Sequence, residues 1–118
     1  MSQARKRRGM RTQKLVANYL ADRGWPFAES AGAGRQGSDV TGTPDIAVEV
    51  KARTNLDPLA WLRQAEEARR DGDTRLPFAV VRCNGQGEEA GDYVAMVRLR
   101  DLVQTLSEAG YGDPKVRT

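Results

Sequence analysis

The strongest constraint on this chain lies in residues 37–51, GSDVTGTPDIAVEVK, where a short segment, a glycine–proline turn and an alternating apolar–charged run follow one another. Side chains on a strand alternate between faces. Ile46, Val48 and Val50 therefore share one side, and Asp45, Ala47, Glu49 and Lys51 share the other. The apolar set must find a core, and the charged set faces outward or into a cleft. The turn Thr41-Gly42-Thr43-Pro44 suits a hairpin between Val40 and the run 46–50, so the chain commits to a sheet here.

The charged face raises a question of chemistry. The chain has no histidine and a single cysteine, Cys83, which excludes the usual zinc sites, histidine-activated nucleophiles and any internal disulfide. Catalysis would have to use carboxylates, lysine, hydroxyls or the backbone. Two aspartates compete to partner Glu49. Asp45 shares its face but lies roughly 13 Å away along the strand, too far for both to hold one small cation. Asp39 approaches across the hairpin. With an odd number of loop residues it lies opposite Ala47, and Glu49 is its diagonal neighbour at roughly 7–8 Å. An even loop turns Asp39 toward the core, unless a bulge restores it.

If Asp39 and Glu49 meet, the patch suits Mg²⁺ or Mn²⁺, which take oxygen ligands and retain several waters; the Val50 carbonyl offers a further oxygen. Lys51 would then orient a metal-bound water or neutralise developing charge. Charged residues alternating with valine also occur on ordinary strand edges, so E-x-K alone is weak support. The joint pattern is more specific: a small-residue loop, an aspartate, a hairpin, E-x-K, and a helix containing Gln64.

Around this centre, hydrophobic periodicity predicts a helix over 10–23 (Leu15, Val16, Tyr19, Leu20) stopped at Gly24, then a short strand over 25–29. A glycine- and alanine-rich loop fills 31–38. A second helix starts after Asp57 as N-cap with Pro58 in its first position and a Leu56–Trp61 staple, and runs to Gly72. Residues 77–83 and 93–97 read as strands and 99–108 as a last helix carrying Leu99, Leu102, Val103 and Leu106. Trp25 and Trp61 read as core residues and Cys83 as a buried small hydrophobe. With 118 residues, 39% of them hydrophobic, one core is expected: a basic flexible segment 1–9, one domain over 10–110, and a polar tail 111–118. The class is α/β, a mixed sheet flanked by helices in the order αβββαββα.

Net charge is only +3, yet Arg5, Lys6, Arg7, Arg8 and Arg11 crowd one end, a local excess suited to a polyanion. Arg35 and Ser38, in the loop beside Asp39, are further candidates for phosphate contact. No apolar run reaches the roughly 18 residues of a membrane span, and the basic start does not lead into a secretory signal, so a cytoplasmic protein is expected.

The quoted residues resemble the PD-(D/E)XK nuclease superfamily, and within it the small Holliday-junction resolvases of archaea and resolvase-like phage proteins. The resemblance rests on the D-V-x-G-x-P-x-x-x-x-E-x-K spacing from Asp39 to Lys51 and on LAWLRQAEEA around Gln64, and it extends from the helix holding Gln13 to the closing strand and helix. It implies a restriction-endonuclease-like fold, a homodimer, and Mg²⁺-dependent hydrolysis of branched DNA, performed in the host cytoplasm if the protein is phage-encoded. Asp39 and Glu49 would be metal ligands, Lys51 the water-orienting or charge-neutralising group, and Gln64 an assisting residue. One departure concerns the first helix: Gln13 stands where such enzymes usually carry a glutamate, which puts a second metal position, and full activity, in question. Other readings are a nicking or repair nuclease on another DNA form and a nuclease-like DNA-binding protein that does not cleave.

Overall fold

A computed structural model describes residues 3–32, 37–69 and 73–113. The element order is α1 (Gln3–Ala21), β1 (Glu29–Ser30), β2 (Val40–Thr41), β3 (Ile46–Ala52), α2 (Pro58–Glu67), β4 (Leu76–Arg82), a 3₁₀ turn (Ala90–Asp92), β5 (Val94–Met96) and α3 (Leu99–Glu108). The protein is a mixed α/β structure. Its strands form two sheets: β1 and β2 pair antiparallel, while β3, β4 and β5 form a mixed sheet in that order, β3 parallel to β4 and β4 antiparallel to β5. Parallel neighbours need a crossover connection, and α2 supplies it.

The mixed sheet lies between two helices. On one face Val16 and Ala17 of α1 pack with Val40, Ile46, Val48, Val50, Val80 and Tyr93. On the other, Trp61 of α2 covers Ala79 and Val81, with Cys83 half-buried beside them rather than enclosed. The register Glu49↔Ala79 and Val50↔Val80 makes the alternation explicit, since neighbouring residues of paired strands share a face. Because both faces are covered, every residue from Ile46 to Val50 is buried, Glu49 included. Each fully buried valine, such as Val48, contributes about 1.5–3 kcal/mol relative to exposure.

Several boundaries differ from the sequence expectation. The first helix begins at Gln3, so Arg5, Lys6, Arg7 and Arg8 stand on its early turns and not in a segment ahead of it. Residues 25–28 form a turn closed by the Ala28 N–H on the Trp25 carbonyl, and only Glu29 and Ser30 form strand. Asp57 precedes α2 but its carboxylate makes no capping bond, and Leu56 is 61% exposed, so there is no staple over Trp61. The helix ends at Glu67; Gly72, its expected stop, lies outside the described residues.

The link from β2 to β3 is tightly specified. Thr43 Oγ donates to the Ile46 carbonyl at 3.0 Å, and the Ile46 N–H returns to the Thr43 carbonyl at 3.2 Å. Gly42 has φ +76°, and a Cβ there would stand 1.9 Å from the Phe27 carbonyl oxygen, so glycine is required on both counts. On the far side of the sheet, buried Arg82 ties α1 to the β4–β5 connection through the Gln86 carbonyl and the Thr12 hydroxyl, at 3.1 and 3.4 Å.

Candidate active site

Asp39 stands at the free edge of β3, and its backbone is fully engaged. Its N–H donates to the Val48 carbonyl at 3.1 Å, and its carbonyl accepts the Ala31 N–H at 2.8 Å. Its side chain continues the pairing: Oδ2 accepts the Val50 N–H at 2.7 Å. The register therefore differs from the odd-loop expectation, since Asp39 lies beside Val48 and not Ala47. By strict alternation that would turn Asp39 toward the core. It does not go there because it sits at a bend immediately before β2, where its carboxylate takes over the role of a strand partner along the edge. Val50 lacks a strand neighbour on that side, and the aspartate satisfies its donor.

This edge placement brings Asp39 to Glu49. Glu49 points to the α2 face, its side chain only 10% exposed, and Oε2 meets Lys51 Nζ at 3.0 Å; the lysine side chain is 13% exposed. The carboxyls of Asp39 and Glu49 are close enough to hydrogen-bond to each other when one is protonated. Glu49 is held above the usual carboxylate range, first by burial and then by the charge of Asp39, with Lys51 opposing. Asp39 is also raised, again by burial first, while the Val50 N–H, Lys51 and Glu49 pull it back. Two acids and one ammonium leave a net negative charge in a partly enclosed site.

A cleft of about 930 Å³ opens from this edge toward α2, lined by Ser38, Asp39, Glu49, Gln64, Arg69 and Arg75 among others. Gln64, exposed on α2, lines the same cleft. Asp45 is exposed and does not line the cleft. Ser38 is buried, and its hydroxyl finds no hydrogen-bond partner among the described residues, a deficit of about 1–3 kcal/mol unless a ligand or water answers it.

Other expected site residues lie apart. Gln13, half-buried on α1, accepts a hydrogen bond from the Ser30 hydroxyl at 3.0 Å and is not in the cleft lining. Arg11 is forked to Glu88, both contacts 3.0 Å, so its charge is already answered on the surface. Arg5, Lys6 and Arg7 are exposed and Arg8 half-exposed. Arg35 lies outside the described residues. Sequence reading missed Arg69 and Arg75, which lie in the α2–β4 connection, where no periodicity indicates which way a side chain turns.

The donor set suits a hard divalent cation. It comprises the buried carboxylate of Glu49, the half-buried one of Asp39 and the Val50 carbonyl, which points to the same edge as the Val50 N–H that Asp39 accepts. Among the described residues there is no cluster of three acidic, histidine or cysteine side chains, so a cation here would complete its shell with water. Comparison with family models, curated proteins and solved structures finds no match for the chain.

Proposed function

We propose that the protein is a metal-dependent DNA endonuclease with a restriction-endonuclease-like fold, acting on four-way junctions as a homodimer. The observation that carries this reading is the meeting of Asp39 and Glu49 at one strand edge beside Lys51, in a cleft that also presents Gln64. The αβββαββα order and the three-stranded mixed sheet between α1 and α2 are compatible with that fold. The sequence resemblance supplies the junction preference.

In this reading Asp39, Glu49 and the Val50 carbonyl hold Mg²⁺, with Mn²⁺ as a substitute. When bound, the ion polarises a phosphoryl oxygen and lowers the pKa of a coordinated water. The Val50 N–H holds Oδ2 of Asp39 and so orients a carboxylate that lines the cleft. Lys51, half-buried and paired with Glu49, would supply the ammonium that orients water or offsets the added negative charge. Gln64 contributes a neutral amide to the same cleft. The basic early turns of α1 add backbone affinity that is independent of sequence.

The proposed dimer surface is α3. Leu99, Leu102, Val103 and Leu106 are 74%, 41%, 55% and 37% exposed, and no residue of this amphipathic helix is buried among the described residues. A twofold pairing of such faces would give two matched sites for the two strands of a junction.

A non-cleaving DNA-binding protein is the second reading, favoured by the neutral Gln13 engaged with Ser30 and by the lack of a third acid in the cluster among the described residues. Incubation with labelled four-way, flapped and linear duplex DNA, with Mg²⁺ or Mn²⁺, separates the readings. The enzyme reading expects paired nicks in the four-way substrate, abolished in Lys51→Ala with binding retained. Binding without cleavage under either metal would favour the second reading.

A further inference from the structure

The cleft beside the acidic pair has a basic wall that its chemistry leaves unexplained. Arg69 lies just past the end of α2, half-buried, and its guanidinium is anchored by two main-chain carbonyls: that of Arg75 at 3.0 Å and that of Glu66 at 3.5 Å. These are neutral acceptors. Glu66 feels the charge of Arg69, but its carboxylate is already forked by Arg98 at 3.1 and 3.2 Å, with Arg100 at 3.7 Å. Neighbouring Arg75 is instead matched by Asp73 at 2.6 Å. Arg69 is therefore a positioned cation whose described hydrogen bonds engage no carboxylate, on the wall of the cleft that holds Asp39 and Glu49. A guanidinium carries five donors in a planar fork, so two anchoring bonds leave others to meet an anion.

We propose that Arg69 is a phosphate clamp: it binds a phosphodiester neighbouring the one at the acidic pair, so that a DNA strand runs through the cleft from the edge of β3 across the end of α2. This rests on reading Asp39 and Glu49 as the phosphodiester site. Anchoring by backbone carbonyls fixes the guanidinium before the strand arrives, which reduces the ordering cost of contact. Glu67, exposed on the same wall, opposes the anion and sets the charge balance that Arg69 must overcome.

The test is binding of labelled four-way DNA in Ca²⁺ across a salt series, with cleavage in Mg²⁺ scored in parallel. Arg69→Ala should weaken binding about 10-fold, the weight of a charge-assisted hydrogen bond, and make the log affinity–log salt slope shallower by about one. Arg69→Lys should restore the slope but only part of the affinity, and Glu67→Gln should tighten binding. Arg23→Ala, a cation outside this cleft, should leave the slope unchanged. Wild-type affinity and slope in Arg69→Ala, or a wild-type protein that does not bind DNA, would overturn the clamp. If Arg69→Ala fails to fold, the Arg69→Lys and Glu67→Gln pair decides: no loss in the first and no gain in the second overturns it. Failure of the wild type to cleave, with Arg69-dependent binding intact, would defeat the enzyme reading and leave the clamp standing.

Discussion

Replacing Lys51 by methionine isolates the electrostatics of the site, because the stem still packs while the ammonium is lost. The Lys51–Glu49 contact of 3.0 Å corresponds to roughly 5–6 kcal/mol of attraction at an effective dielectric near 20, before desolvation is subtracted. Side chains 13% and 10% exposed pay much of that back in desolvation, and the open cleft screens part of the remainder. A net loss of about 1–3 kcal/mol follows, or a fall in Tm of roughly 4–12 °C for a chain of this size. The pH dependence has a definite sign. Burial already raises both carboxyls in the folded protein above their ordinary values, and removing the ammonium raises them further. Folded-state stability is then missing at pH above those raised values and recovers as pH falls through them. The Tm gap between variant and wild type should be widest at neutral pH and narrow as pH falls through the raised carboxyl range. Adding Glu49→Gln should recover stability, since the uncompensated charge is gone. Thermal melts monitored by circular dichroism from pH 4 to 8 make the measurement. A Tm at neutral pH within 1 °C of wild type, or a deficit independent of pH, would refute the reasoning.

Three further outcomes are expected. Asp39→Asn should abolish junction cleavage, whereas Asp45→Asn should retain it and stay within about 0.5 kcal/mol of wild type in a melt, as an exposed substitution does. Gly42→Ala should cost about 3 kcal/mol or more, read from urea unfolding, because a methyl would collide with the Phe27 carbonyl at a backbone angle that also disfavours alanine. Leu102→Asp on the exposed face of α3 should leave Tm at low protein concentration nearly unchanged but shift sedimentation from dimer to monomer; sedimentation as a monomer in the wild type would remove the proposed dimer surface.

The order of elements was legible because most carry their own period. β3, β4 and α3 lie within two residues of their expected limits, since valine-rich runs and an i, i+3, i+4 stripe declare strand and helix directly. The start of α1 was not legible. Residues ahead of Met10 have no apolar stripe, yet good helix formers such as Ala4 and Arg5 extend a helix already anchored by Thr12, Val16 and Ala17. At the site, alternation identified the face of Glu49 and Lys51, and reach along the strand excluded Asp45. What alternation could not show was Asp39 turning at a bend to serve as an edge partner for Val50, because that depends on a local departure from the ladder. For α3 the sequence offered the apolar stripe as a candidate dimer surface, but amphipathicity does not say whether core or partner will cover it; the stripe is exposed.

The most direct measurement for the central claim is anomalous diffraction from crystals soaked in Mn²⁺. The account predicts a manganese peak between the carboxylates of Asp39 and Glu49, near the Val50 carbonyl, and its loss in Asp39→Asn. Carboxylates turned away from each other, with manganese bound elsewhere or at no site, would contradict it.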